Sequence, residues 1–359
     1  MKQIGSLMNL GVIQNYKKYL PVNKNTPIIT MGEGQTPLIK STNIINSINC
    51  SDLYFKFEGC NPTGSFKDRG MVFAIAKALE TKSKIIACAS TGNTSASAAA
   101  YGARFGLKTI VIVPNGKIAS GKLAQAIAYG AKIISIDGNF DQGLSIIREL
   151  SNDNNVTIVN SINPFRIEGQ KTAAFEIIDE LGDSPDSLFI PVGNAGNITA
   201  YWKGFTEYLK YEKSSKLPIL MGYQAEGAAP LVKGEPIEKP ETIASAIRIG
   251  NPASWESAIA ARNESGGLID SVTDDEILSA YEMLASQEGI FCEPASAASL
   301  AGLIKTNLIN PQSIKDKTIV CVVTGSGLKE PELAEKQFNS KPINIKPELE
   351  TVKEAIMNL

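Results

Sequence analysis

Beyond residue 50, short β-branched and apolar runs alternate with longer runs whose apolar positions recur at helical spacing. Leu53–Phe57, Ile85–Ala89, Thr109–Val113, Ile133–Ile136, Val156–Val159, Leu188–Val192, Ile219–Tyr223 and Thr318–Val323 read as strands. Met71–Leu79, Ser95–Phe105, Gly121–Tyr129, Gln142–Leu150, Gly169–Leu181 and Thr199–Leu209 read as the helices between them. Such alternation predicts parallel sheets with helices on both faces. The units overfill one sheet, so two open, twisted α/β domains are expected, with a site in the cleft between them. The first forty residues are polar and irregular, with two short helical patterns at most, and Gly32–Leu38 reads as a turn into an extended segment. The tail after Lys329 is rich in Pro, Lys and Glu and is expected on the surface, with helical spacing over Glu348–Met357.

Composition narrows the chemistry. The 359 residues are 43% hydrophobic and 20% charged, ordinary for a globular protein. A net charge of −2 argues against nucleic-acid or membrane-surface binding by bulk electrostatics. No signal-peptide pattern or membrane-spanning run is evident, which predicts a cytoplasmic location. The five cysteines, Cys50, Cys60, Cys88, Cys292 and Cys321, lack the close spacing of a metal site, and no metal is expected. Cys88 and Cys321 read as buried thiols in strands, and Cys60, beside the turn considered next, reads as packing. Histidine is absent. Ser-His-Asp and Cys-His catalysis are therefore excluded, and acid–base work falls to lysine, carboxylates, a cofactor or the substrate.

One stretch carries candidate chemistry directly. Asn61–Gly70 reads Asn-Pro-Thr-Gly-Ser-Phe-Lys-Asp-Arg-Gly, between a strand and a helix. Pro62 and Gly64 predict a turn, Ser65 an N-cap and Asp68 a near capping box. Lys67 then lies in the first helical turn, where the dipole disfavours a cation and lowers the amine pKa. A neutral amine attacks a carbonyl. Ser90–Ser97, Ser-Thr-Gly-Asn-Thr-Ser-Ala-Ser, places hydroxyls and free N–H groups at a helix start, an anion site. Gly193-Asn194-Ala195-Gly196-Asn197 follows a strand and suits a phosphate, although alone it is also an ordinary tight turn. It lacks the lysine ending of an ATP loop. Thr324-Gly325-Ser326-Gly327 ends the last strand. Within Val159–Lys171, Asn160, Ser161 and Arg166 form a candidate phosphate clamp, with an interdomain ion pair as the alternative role for Arg166.

These ordered segments, from about Gly32 to Leu328, resemble the fold type II pyridoxal-phosphate enzymes, the tryptophan synthase β family. The resemblance implies a discontinuous large domain, residues 1–58 and 163–359, and a small domain, residues 59–162. It makes Lys67 the covalent anchor of pyridoxal phosphate, Asn93 the partner of the cofactor phenolic oxygen, and Gly193, Asn194, Ala195, Gly196 and Asn197 the cup for its phosphate. Thr324 meets the pyridine nitrogen. Ser90, Thr91, Asn93 and Thr94 hold the substrate carboxylate. Over Val159–Lys171 the match is to the branch that converts O-phospho-L-homoserine and water to L-threonine and phosphate. That branch assigns Asn160, Ser161 and Arg166 to the substrate phosphate and implies a homodimer. Gly116–Ala126, Ala246–Trp255 and Cys292–Ala298 also match, leaving Arg248 and Glu293 as either site or structural residues. A serine or threonine dehydratase is the alternative within the family, but Gly-Asn-Ala-Gly-Asn stands where such enzymes more often carry a glycine run. A non-catalytic binding protein on the same fold is the alternative outside enzymes.

Overall fold

A computed structural model describes residues 9–115, 120–138, 140–150, 155–338 and 344–357. Residues 116–119 of the matching Gly116–Ala126 segment lie outside the described residues. In chain order the elements are α1 (Gly11–Asn15), β1 (Leu38–Lys40), β2 (Asp52–Phe57), α2 (Lys67–Glu80), β3 (Ile85–Ala89), α3 (Asn93–Phe105), β4 (Lys108–Pro114) and α4 (Ser120–Ala128). Then come β5 (Lys132–Ile136), α5 (Phe140–Leu150), β6 (Val156–Ile158), α6 (Pro164–Gln170), α7 (Thr172–Leu181), β7 (Ser187–Pro191) and α8 (Gly196–Lys210). The chain continues through β8 (Ile219–Ala225), α9 (Pro230–Lys233), α10 (Trp255–Glu264), β9 (Leu268–Val272), α11 (Asp274–Glu288) and α12 (Pro294–Ile309). It ends with β10 (Thr318–Val323), α13 (Pro331–Phe338) and α14 (Leu349–Met357).

The strands form two sheets, ordered β1-β2-β10-β7-β8-β9 and β5-β4-β3-β6. Every pairing is parallel except β1 with β2, so the expected all-parallel large sheet gains one antiparallel edge strand. The four-stranded sheet draws on one continuous stretch, whereas the six-stranded sheet is built from strands before and after it.

Strand order also says where ligands belong. In the small sheet the chain steps outward from β3 through β4 to β5, then returns on the other side of β3 as β6. In the large sheet it steps from β7 through β8 to β9, then returns beside β7 as β10. A crevice opens at the carboxyl ends of the strands wherever the winding reverses. The two reversal points carry the loops at 90–93 and 159–163, and those at 193–196 and 324–326.

The helix expected over Gly169–Leu181 is two helices, α6 and α7, meeting at Lys171. Asn163 starts α6 by accepting from the Phe165 N–H at 3.0 Å, and Pro164 follows at the first helical position. Helices α2 and α6 touch backbone to backbone through a pair of glycines. A methyl group on Gly70 would lie 2.6 Å from the Arg166 carbonyl oxygen, and one on Gly169 would overlap the Arg69 carbonyl. This contact sets Lys67 and Arg166, near the starts of adjacent helices, beside one another.

A buried ionic network underpins α2. Arg69 bonds Glu58 (2.6 and 2.8 Å) and Glu176 (two bonds of 2.6 Å), and Lys56 bonds Glu176 at 2.9 Å. Arg69, Lys56 and Glu58 are fully buried. Glu176 titrates at about 2: burial pushes it up, but the fields of Arg69 and Lys56 outweigh that and hold it ionised. Cys88 and Cys321 are buried as expected, but Cys60 is exposed, so packing does not account for it.

Candidate active site

The turn before α2 delivers Lys67 to the first helical residue, but the capping differs from expectation. Phe66, not Ser65, takes the N-cap position, with no side-chain cap. Ser65 Oγ accepts only a long bond of 3.4 Å from the Lys67 N–H. Asp68 forms no capping box either. Its carboxylate accepts from the Thr63 N–H (2.7 Å), the Thr63 hydroxyl (2.6 Å) and the Ser97 hydroxyl (2.5 Å), which clamps the turn to α3. The turn is also sewn onto the end of β10. Phe66 N–H donates to the Thr324 carbonyl at 3.0 Å, and Ser326 N–H to the Gly64 carbonyl at 2.9 Å.

Within this rigid frame the Lys67 side chain stands apart. It is half-buried, and its Nζ makes no hydrogen bond or ion pair to any described residue. It lies 4.1 Å from the Phe66 ring centroid. Burial, reinforced by the Arg166 charge and opposed by Glu293, brings its pKa down to about 7. The helix terminus adds in the same direction. The amine is therefore substantially neutral at neutral pH, as attack on a carbonyl requires.

The Ser90–Thr94 loop follows β3. Helix α3 starts at Asn93, after Gly92, and Ser90 Oγ accepts from the Gly92 N–H at 3.2 Å. The hydroxyls of Thr91 and Thr94 bond no described residue. Asn93 Nδ2 donates to both carboxyl oxygens of Glu293 (3.1 and 2.9 Å). The Thr324 hydroxyl lies 3.2 Å from Glu293 Oε1 and 2.8 Å from the Ser296 hydroxyl, within hydrogen-bond distance of both. Glu293 is 2% exposed, and burial raises its pKa. Glu293, left open from sequence, thus stands between two predicted site residues, and Ser296 is a site neighbour that sequence reasoning missed. Arg248 is exposed, one residue past Ile247, whose backbone packs on Gly193.

The loop at 193–197 enters α8 through Ala195, held at φ 64°, a left-handed conformation that costs a non-glycine residue about 1–2 kcal/mol. The unpaired N–H groups at the start of α8 and the helix dipole make an anion seat. Asn197 Nδ2 is buried there without a partner. Asn194 Oδ1 accepts from the Ala253 N–H at 2.7 Å, and its Nδ2 donates to Ser161 Oγ at 2.9 Å. This last bond joins the two reversal points.

The 160–166 segment divides in two. Asn160 is a splint: Oδ1 accepts from the Ala89 N–H and Nδ2 donates to the Ala89 carbonyl, both at 2.9 Å. Arg166 is different. It is 1% exposed, among the described residues its one hydrogen bond runs from Nη1 to the Val159 carbonyl at 2.8 Å, and Nε is buried without a partner. Among the described residues no carboxylate pairs with it, so the interdomain ion pair considered from sequence is not formed. Burial lowers its pKa to about 10. A buried guanidinium with an unused donor and no ion-paired carboxylate among the described residues has the chemistry to receive an anion.

The predicted residues therefore converge, with a neutral-capable amine, a helix-start anion seat and a second, guanidinium anion seat. The orphaned Asn197 amide, the α8 terminus and the unpartnered Lys67 amine fit an aldehyde that carries a phosphate.

Residues 29–325 match the family described as pyridoxal-phosphate dependent enzymes. The threonine synthase of Halalkalibacterium halodurans is 59% identical over 332 residues, 92% of this chain and 93% of that protein. That of Synechocystis is 56% identical over 96% of this chain and 90% of its own length. That of the archaeon Methanocaldococcus jannaschii is 48% identical over 97% and 87%. Among solved structures, maize serine racemase superposes with a TM-score of 0.71 at 20% identity, covering 91% of this chain and 95% of that one. The processed threonine deaminase isoform 2 of Solanum lycopersicum gives 0.69 at 22%, covering 85% and 82%. These two likenesses concern the fold alone. The sequence matches go further: the chain belongs to the pyridoxal-phosphate-dependent enzyme family, on its threonine synthase branch.

Proposed function

We propose that this protein is a lyase that converts O-phospho-L-homoserine and water to L-threonine and phosphate, the last step of threonine biosynthesis. The observation that carries this reading is Arg166, a buried guanidinium with an unpartnered Nε and no described counter-ion, set beside Lys67. A dehydratase acting on serine or threonine has no second phosphate to place there. The threonine synthase relatives, at up to 59% identity, agree.

Lys67 and the 193–197 loop at the start of α8 would hold pyridoxal phosphate, which when bound would supply the electron sink that makes the substrate α- and β-protons acidic. Asn93 and Thr324 orient its ring. Ser90, Thr91, Asn93 and Thr94 receive the substrate carboxylate, where the free Thr91 and Thr94 hydroxyls and the α3 N–H groups are donors. The freed Lys67 amine moves protons, and a pKa near neutrality suits both uptake and release. With no histidine in the chain, few other groups are available for that work. Arg166 and Ser161 stabilise the departing γ-phosphate. Asn160 acts mainly through the Ala89 backbone, keeping the two loops of the small sheet in register. Water adds at the β-carbon once the phosphate has left the γ-carbon.

The substrate-carboxylate domain spans residues 59–162, and residues 1–58 with 163–359 form the cofactor domain. The enzyme is cytoplasmic, works on a small molecule without nucleic-acid partners, and assembles as a homodimer. Exposed Leu308 and Ile309, at the end of α12, are the kind of apolar surface a dimer covers. The test is substrate choice. Purified holoenzyme should use O-phospho-L-homoserine with a kcat/KM orders of magnitude above that for L-serine or L-threonine, and a reversed order would exclude this reading.

A further inference from the structure

The carboxyl of Glu293 is bonded to both side chains proposed to face the cofactor ring, Asn93 on the small-sheet side and Thr324 on the large-sheet side. We propose that Glu293 is a positioning residue that works as a neutral acid: it donates to Thr324 Oγ1 and thereby turns the single Thr324 proton outward to the pyridine nitrogen. This rests on the reading above and deepens it.

The argument is an inventory of hydrogens. A threonine hydroxyl has one proton to donate and two lone pairs to accept with. Ser296 Oγ accepts from the Gly325 N–H at 3.0 Å, and its own proton has Thr324 at 2.8 Å as the nearer acceptor and the Gly325 carbonyl at 3.5 Å as the farther one. If Glu293 is ionised, it must take the Thr324 proton across the 3.2 Å contact, and the ring nitrogen meets only lone pairs. If Glu293 is neutral, it and Ser296 fill both Thr324 lone pairs, and the Thr324 proton has one direction left. The other Glu293 oxygen still accepts from Asn93 at 2.9 Å. The setting moves Glu293 towards the neutral form: it is buried, no cation lies within ion-pair distance among the described residues, and Glu330 adds a repelling charge, against the donated Asn93 and Thr324 hydrogen bonds, which favour the carboxylate. The cations that oppose this are Lys329, which is directed to Gln125, and Lys67. Cys292 adjoins as a thiol whose pKa burial raises. A methyl on Gly325 would lie 2.6 Å from the Glu293 carboxyl carbon, so the backbone closes tightly around it.

Glutamine mimics the neutral acid, since its amide donates to Thr324 and its carbonyl accepts from Asn93. Parent protein and the Glu293→Gln, Glu293→Ala, Thr324→Val and Thr324→Val/Glu293→Ala variants are freed of cofactor and titrated with pyridoxal phosphate, recording the absorbance of the bound cofactor and its dissociation constant. Glu293→Ala is expected to shift the absorbance band and weaken binding about two- to tenfold, the scale of one hydrogen bond. Glu293→Gln should keep the parental band, and in the Thr324→Val background removing Glu293 should shift the band no further. Because Gln matches Glu in size, it carries the test if the alanine variant fails to fold. A Gln variant as disturbed as Ala, or a full further shift in the Thr324→Val background, overturns the inference. Unmoved variants beside a parent that binds cofactor sink this inference alone. A parent that takes up no cofactor sinks it together with the reading beneath it.

Discussion

Replacing Arg166 by leucine separates the two anion seats. The guanidinium has at least one buried, unused donor, Nε. A charge-assisted hydrogen bond to a buried anion is worth about 1.5–3 kcal/mol, or about one to two decades of rate per bond. The variant should therefore lose at least about ten- to a hundredfold in kcat/KM for O-phospho-L-homoserine. Cofactor content should not change, because the hydrogen bond Arg166 makes runs to Val159 and not to the 193–197 loop. Stability should change little. The bond to the Val159 carbonyl is lost at a cost of about 1 kcal/mol, but an uncompensated buried charge disappears with it. An independent readout comes from Lys67. Arg166 is the second cause, after burial, of its lowered pKa, so the Lys67 midpoint should rise above 7 in the variant. The assay follows phosphate release, slow deamination of L-serine and cofactor content side by side. If both activities fall together while cofactor stays bound, Arg166 holds the domains in place and the clamp assignment is wrong. If cofactor is lost, the two phosphate sites have been confused.

Lys67→Ala should fold, yet show neither the absorbance of the lysine-linked cofactor nor turnover, because only an amine at this position can form the imine. Turnover without an added amine would overturn the assignment. Cofactor uptake by the apoprotein should rise with pH through about 7, the Lys67 midpoint, rather than through the usual lysine range, and a midpoint near 10 would contradict the burial argument. Arg69→Leu should cost about 3–5 kcal/mol in urea unfolding, since it leaves the buried Glu58 without its cation and Glu176 with Lys56 alone. The Glu176 share of stability is fully present above its ordinary value of 4.5, because its folded pKa is depressed, and is lost as the pH falls towards 2. Acid titration of the unfolding free energy in parent and Glu176→Gln proteins measures it.

What sequence could reveal followed the range of the signal. Lys67, the 193–197 loop and the hydroxyl loop are local: each is a few residues between a strand and a helix, so composition and periodicity place them. Alternation likewise predicted two sheets. It missed β9, Leu-Ile-Asp-Ser-Val, whose polar residues break the apolar run. It missed α12, which is apolar on nearly every face because it is buried all round. Helix α11 was readable, since Thr273 and Glu276 form a capping box that went unused. The Glu293 cluster was not readable. Asn93 and Glu293 are separated by 200 positions and meet only because the two reversal points face one another. For the same reason Asn160 resembled a phosphate ligand while its amide is committed to the Ala89 backbone, and Ser65 resembled a cap that Phe66 occupies instead.

The central claim is that the bond broken is the carbon–oxygen bond of O-phospho-L-homoserine and that water adds at the neighbouring carbon. Turnover in water enriched in heavy oxygen tests it directly, with both products analysed by mass spectrometry. The account predicts threonine and phosphate in equal amounts, the label in the threonine hydroxyl and none in the phosphate. Label in the phosphate with homoserine as co-product, or 2-oxobutanoate and ammonia in place of threonine, would contradict it.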